Sequence, residues 1–429
     1  MKPPMLLLLA AACGCSHPKT DDSAVDDSPG DDTSGDSHDT APPTPVGPCA
    51  EGAWGSRLAG PDGVIVVSQA GDDAAAGAWD SPVASLAAAL ERAVANGATA
   101  VLIGPGSFPT SAVMDSTHDG IAVYGCGADV TTLVDPDPLA PATLLRVNYA
   151  DGVTLADFAT SGGKRAIEVD VRDTNVTLSS LALAGGVRSG LLVYGYGEVT
   201  MDGVDVSGVS TDGDDGSAYG YGMSFVGSSP NAPLSISMEG GIVDSATTAG
   251  VLGDQAALSM SNVSVTSTQS NAGYFGRGVQ VQNGSSLWMS GCWLDANADA
   301  AVYAVGSPSI EVMDSDLLNT LPAALPDDPE ADLPPGDGLV VRVGDHEGLP
   351  LSAFILSITR NVIDGNGRTG ILVEDATVVE AEDNTGTNGY AGGDFIAQGA
   401  ANVDAVPDAG FTSPDTELEI NVQALGGGN

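Results

Sequence analysis

The sequence predicts an all-β solenoid of stacked coils, and three observations predict it. An eight-residue frame (apolar, any, apolar, two free positions, a variable turn position, any, apolar) starts at Val176, Val199, Ile236, Leu258, Leu287, Ile310 and Leu356. It closes on Leu183, Val206, Val243, Val265, Leu294, Leu317 and Ile363. The starts lie 23, 37, 22, 29, 23 and 46 residues apart, so the short spacings cluster near 23 and the long ones read as coils carrying inserted loops. A small residue before an apolar strand also recurs once per coil, at Gly190, Gly222, Gly250, Gly278, Ala301, Gly338 and Gly370. Three short parallel strands and their turns take about 23 residues, and such repeats share one core with their neighbours, so 429 residues make one long solenoid. The composition agrees: 57 glycines and 16% charged residues suit a turn-rich β protein.

Residues 1–15 place Lys2 before a short apolar run that ends in small residues and cysteine. That is a secretion signal, too short to span a bilayer. It resembles a bacterial lipoprotein signal, which implies lipidation of Cys13, or of Cys15, and attachment to the bacterial cell envelope. Residues 16–48 hold almost no apolar side chains and repeat Asp pairs at every fifth step. Such a segment cannot pack and is kept extended by its own charge, so it reads as a disordered stalk.

The folded domain is expected over 49–429. Val64 to Val67 reads as a strand, Ser81 as a helix N-cap with Pro82 at the first helical position, and Val83 to Ala95 as the one persuasive helix, stopped by Asn96-Gly97. Strands at Val101 to Ile103 and Ile121 to Val123 follow, separated by the turn Gly104-Pro105-Gly106 and leading to the glycine-rich run Gly125 to Leu133. This stretch resembles the entry of the pectate-lyase-like right-handed β-helix family, and Asn361-Val-Ile-Asp-Gly-Asn366 resembles that family's repeat. The resemblance implies a right-handed single-stranded parallel β-helix with an N-terminal capping helix. Met201, Met238, Met260 and Met289 share one slot of the frame and read as a stacked interior file. Residues 391–429 read as a loose cover over the far end, where open strand edges need protection. An oxidising compartment permits Cys49 to pair with Cys126, and Cys292 reads as a buried small hydrophobe.

Charge narrows the partners. The chain has 13 Lys and Arg against 57 Asp and Glu; eight acids and Lys19 lie in the stalk and Lys2 in the signal, leaving 49 acids against 11 bases. Nucleic acid, and membrane contact other than through the lipid, are therefore excluded. The insertions 207–221, 266–277 and 318–337 precede the glycine-led strand, and 227–235 and 344–355 follow it, so the loops flank one face of the rod. That face is the expected binding side. It carries Tyr219, Tyr221, Tyr274 and Phe275, rings that would stack on a polysaccharide or cell-surface glycan, though they could equally pin their own loops. Asp212 and Asp214 form part of a calcium loop, so calcium is a candidate ligand although no cofactor is required.

Catalysis finds little support. Gly213-Asp214-Asp215 matches one motif of the polygalacturonase-like hydrolases, but their Asn-Thr-Asp, Gly-His-Gly and Arg-Ile-Lys motifs are missing. Arg277 and Arg342 are the basic residues open to a lyase, and His118 and His346, far apart, nominate no relay; His118 reads as a turn residue. The leading expectation is a monomeric, envelope-anchored, non-enzymatic carbohydrate or surface-interaction module. The alternatives are a polysaccharide lyase or glycoside hydrolase acting through Asp212, Asp214, Asp215 and Arg277, and a purely structural spacer.

Overall fold

The computed structural model describes residues 63–211, 220–228, 233–271, 275–323, 335–343, 355–389, 394–404, 406, 409–413 and 418. They belong to one compact unit, Pro45–Asn429. The signal segment, the stalk, Cys13, Cys15 and Cys49 lie outside them. The chain forms a right-handed parallel β-helix in which every strand pairs in parallel with its counterpart one coil away.

Three sheets run the length of the rod. Sheet B carries the first half of the frame and includes Val64–Val67, Ala100–Ile103, Leu234–Glu239, Ala256–Ser261, Ser286–Ser290, Ser309–Met313 and Ile355–Thr359. Sheet C carries the second half and includes Ile242–Asp244, Ser264–Thr266, Trp293–Asp295, Asp316–Leu318 and Val362–Asp364. Sheet A holds the glycine-led strands, among them Tyr221–Gly227, Ala249–Asp254, Arg277–Gln282, Asp299–Val305, Gly336–Arg342, Ile371–Glu374 and Phe395–Gln398.

The frame is legible because strand alternation sends its apolar positions inward. Leu178, Met201, Met238, Met260, Met289, Val312 and Ile358 stack rung on rung, each almost fully buried. Burying each such side chain contributes about 1.5–3 kcal/mol. The fifth frame position turns the corner between sheets B and C. Ser180, Gly203, Gly240, Asn262, Gly291, Asp314 and Arg360 all occupy it with φ between 49° and 64°. Polar side chains close the turns: Ser315 accepts from Cys292 N at 3.1 Å, Asn361 from Ser315 N at 2.9 Å and Asn384 from Asn361 N at 3.1 Å.

The capping helix is Leu86–Asn96. Its N-cap is Ser85, not Ser81, and the helix starts three residues later than the expected Val83. The reason is local: Val83 bridges to Val67, while the Asp73 carboxylate accepts from Ala84 N and Ser85 N at 2.9 and 2.8 Å. Leu86, Ala89, Leu90 and Ala93 are buried against the first coils, and Gly97 ends the helix in the left-handed region. At the far end, Val403, Val406, Ala409 and Phe411 pack on the core, and the Phe395 and Phe411 rings lie 5.9 Å apart. Cys292 is free and buried, and burial raises its thiol pKa. Cys126 is disulfide-bonded; the expected partner, Cys49, is not among the described residues.

Candidate functional site on the outer face of sheet A

Sheet A points two files of side chains away from the core. One runs Glu168, Leu192, Ser224, Leu252, Gln280, Tyr303, Val340, Leu372, Ile396; the other runs Asp170, Tyr194, Val226, Asp254, Gln282, Val305, Arg342, Glu374, Gln398. From Ser224 onward most of these outward residues are nonetheless buried. Glu168, Asp170 and Leu192 at the N-terminal coils are buried as well, but there the side chains of Arg146 and Arg172 are 43% and 54% exposed and Tyr149 and Tyr194 are half-buried, so this is the more open end of the face.

Under the cover lies a polar network. Arg277 is fully buried; its Nε donates to Asp299 at 2.6 Å and its Nη1 to Gln280 at 2.8 Å, and its guanidinium lies 3.5 Å from the Tyr303 ring centroid. Gln280 donates on to Gln282, and Gln282 to Asp254. Arg368 clamps Asp337 in the same way. Burial raises the Asp299 carboxyl pKa despite the facing guanidinium. Arg277 is thus part of the scaffold under sheet A's cover, with no solvent face from which to take a proton.

Of the four expected rings, two are among the described residues. Tyr221 and Phe275 are 2% and 4% exposed and pack with Ala249 and Leu252, so their rings fasten chain onto the coil body rather than face a ligand. Asp212, Asp214, Asp215, Tyr219, Tyr274 and His346 lie outside the described residues. Arg342 pairs with Glu374 at 2.7 Å. His118 caps its own turn: Asp115 N donates to its Nδ1 at 3.1 Å.

The open end holds residues the sequence reading missed. Glu168 and Asp170 are 4% and 2% exposed, one position apart on the outer face. Arg165 Nη1 donates to Glu168 at 2.9 Å, and Arg146 Nε approaches it at 3.0 Å as an ion pair without hydrogen-bond geometry. Asp170 faces two phenols, Tyr149 and Tyr194, which both donate to it. Arg172 Nε stands 3.8 Å from Asp170, with its guanidinium 4.1 Å from the Tyr149 ring centroid. Burial, then the Asp170 charge, pushes the Tyr194 phenol up to about 12. Tyr149 is raised chiefly by its hydrogen bond to Asp170. Both phenols keep their protons at neutral pH and act as donors, not bases. The available signal was the strict alternation Ile167-Glu168-Val169-Asp170-Val171-Arg172, three charges on the outer face of the loop-flanked sheet.

Among the described residues, no cluster of His, Cys, Asp or Glu is placed to hold a metal ion. No family model matches the sequence, and no curated protein does. Among solved structures, the Azotobacter vinelandii mannuronan C-5 epimerase AlgE4 A-module is similar at TM-score 0.44 and 11% identity, over 77% of this chain and 94% of that one. The catalytic domain of a GH87 α-1,3-glucanase with bound nigerose is similar at 0.36 and 11%, over 83% and 69%. The catalytic unit of a GH87 α-1,3-glucanase from Streptomyces thermodiastaticus is similar at 0.35 and 13%, over 77% and 65%. At these scores the likeness adds nothing to the account of the site.

Proposed function

We propose that this protein is a carbohydrate-binding β-helix whose site is the open end of sheet A's outer face, centred on Tyr149, Asp170, Arg172 and Tyr194. The observation that carries this reading is the buried Asp170 carboxylate held between two protonated phenols, with an exposed guanidinium stacked on one ring. Such a cluster offers ring faces, donors and acceptors to a glycan. In the same proposal the chain is a monomer held at the bacterial cell envelope by a lipid on Cys13 or Cys15, displayed on the Asp-rich stalk. It needs no cofactor, and calcium is reserved for Asp212 and Asp214. A disulfide between Cys49 and Cys126 would tie the domain's start to its first coils.

The same carboxylate is what favours a second, enzymatic reading as a polysaccharide lyase or glycoside hydrolase. Two features weigh against it. Hydrolysis needs one carboxyl to protonate and another to activate water or attack, yet Glu168 is clamped by Arg165 and Arg146. Proton abstraction needs a base, yet both phenols are raised. Titration of soluble oligosaccharides into the full chain tests both readings. Binding should fall with Tyr149→Ala and with Asp170→Asn, with no new reducing ends and no unsaturated product. Binding untouched by both substitutions would sink the assignment, and product formation lost on Asp170→Asn would establish the enzyme.

A further inference from the structure

All seven frames keep their eight residues, so no insertion leaves the corner between sheets B and C. Two of the chain's four tryptophans stand on either side of that corner in one coil, five residues apart. Trp288 is half-buried on sheet B and Trp293 is 44% exposed on sheet C. Their neighbours repeat: Trp288 lies between Ser259 and Glu311 in register, and Trp293 between Ser264 and Asp316. Each indole thus has a hydroxyl one rung before it and a carboxylate one rung after. The Trp293 file continues to exposed Ile242 and Val362, two rungs away on either side, about 10 Å each at the parallel-strand spacing. The Trp288 file is led by hydroxyls on five successive rungs, Thr154, Thr177, Thr200, Ser237 and Ser259.

We infer that this corner is a second binding surface, separate from the sheet A cluster and independent of the reading given to it, that takes a neutral polysaccharide lying along the rod. The half-buried Trp288 and the exposed Trp293 supply stacking faces, and the hydroxyls and carboxylates beside them supply the hydrogen-bond partners a sugar ring needs. Neither file contains Lys or Arg from Thr154 to Glu311 or from Asp205 to Val362, and Arg360, at the corner between them, donates to both carboxylate oxygens of Asp314 at 2.7 Å, which disfavours a polyanion. A second copy of this chain fits poorly, because Glu311 and Asp316 would meet their own like charges. One hydroxyl or ring per rung repeats at a spacing close to the length of a pyranose unit, which suits an extended chain.

The test is co-sedimentation of the full chain with insoluble cellulose and chitin. Trp288→Ala with Trp293→Ala should cut retention at least about tenfold, the worth of one good aromatic stacking contact. Trp288→Phe with Trp293→Phe should keep most of it, and Tyr149→Ala should leave it unchanged. Retention that survives the double alanine variant, or no retention by the wild type on either material, overturns this inference. Loss on Tyr149→Ala but not on the tryptophan variants overturns it while leaving the sheet A reading standing. Dilution-dependent self-association abolished by the double alanine variant would replace the glycan with a second copy.

Discussion

Replacing Arg277 by methionine separates a scaffold role from a catalytic one. The guanidinium is fully buried, donates to Asp299 at 2.6 Å and stacks on Tyr303 at 3.5 Å. Arg277→Met keeps much of the side chain's bulk but leaves Asp299, 3% exposed, without its hydrogen-bonded cation. Breaking one side of a buried pair costs about 3–5 kcal/mol, and a desolvated cation–π contact contributes up to about 2 kcal/mol of that kind. We expect a loss of about 4 kcal/mol by urea denaturation. Adding Asp299→Leu should recover most of it, because the uncompensated charge is then gone. The pH dependence has a definite sign. Asp299 already has a raised carboxyl pKa in the fold, and without Arg277 it rises further. A raised folded pKa contributes stability present below the unfolded value and lost as pH rises through the folded one. The variant's deficit should therefore shrink toward acidic pH and grow as pH rises through the folded carboxyl's raised pKa. An Arg277→Met protein with the wild-type urea midpoint at neutral pH would refute the reasoning, and would return Arg277 to the list of candidate functional residues.

Two further outcomes follow from the turns and the open site. Asn366→Ala removes the acceptor of Thr320 N at 3.0 Å and the donor to Leu317 O at 3.1 Å, both deep in the wall; two orphaned backbone groups should cost about 2–6 kcal/mol, read as loss of amide-exchange protection at Thr320. In a spectrophotometric titration, the phenol lost on Tyr194→Phe should titrate at about 12 in the wild type. Asp170→Asn should lower that midpoint, since the carboxylate's charge and hydrogen bond both hold the phenol protonated; the stability tied to this proton is present below the ordinary phenol value and lost as pH rises through about 12.

The scaffold was legible because each coil repeats its inward positions, so the Met201 to Met289 file could be read as a period without any coordinates. The corner was less so. The frame treats its fifth position as free, yet the backbone there is left-handed in every copy, and Ser180 and Arg360 hide among the glycines, Asn262 and Asp314 that advertise it. Helix onset was misread because the Ser81-Pro82 signal is local, whereas the competing Val83 to Val67 bridge is not. The candidate site was largely missed for the same reason. Tyr149 and Tyr194 are 45 residues apart and meet only because Asp170 lies in the rung between them. Conversely, Tyr221 and Phe275 drew notice as rings near insertions, and their burial, which sequence does not display, favours the alternative that they pin chain onto the coil body.

The distribution of positive charge ties the two proposed surfaces to one kind of ligand. At least seven of the ten described Lys and Arg residues, Arg146, Arg165, Arg172, Arg277, Arg342, Arg360 and Arg368, face a carboxylate within 4 Å. Five of these pairs, at Arg146, Arg277, Arg342, Arg360 and Arg368, join successive coils, and Arg165 and Arg172 pair within one strand, so these bases of a chain with net charge −44 are engaged by the chain's own carboxylates. Arg172, the most exposed of those at the open site, is already engaged by Asp170 and the Tyr149 ring. An acidic sugar arriving there would have to displace Asp170 and would meet a field of like sign on its way in. A neutral chain meets neither obstacle. It can use the rings, phenols and carboxylates as they stand, and its binding should depend only weakly on salt, whereas a polyuronate held by Arg172 would be released as ionic strength rises.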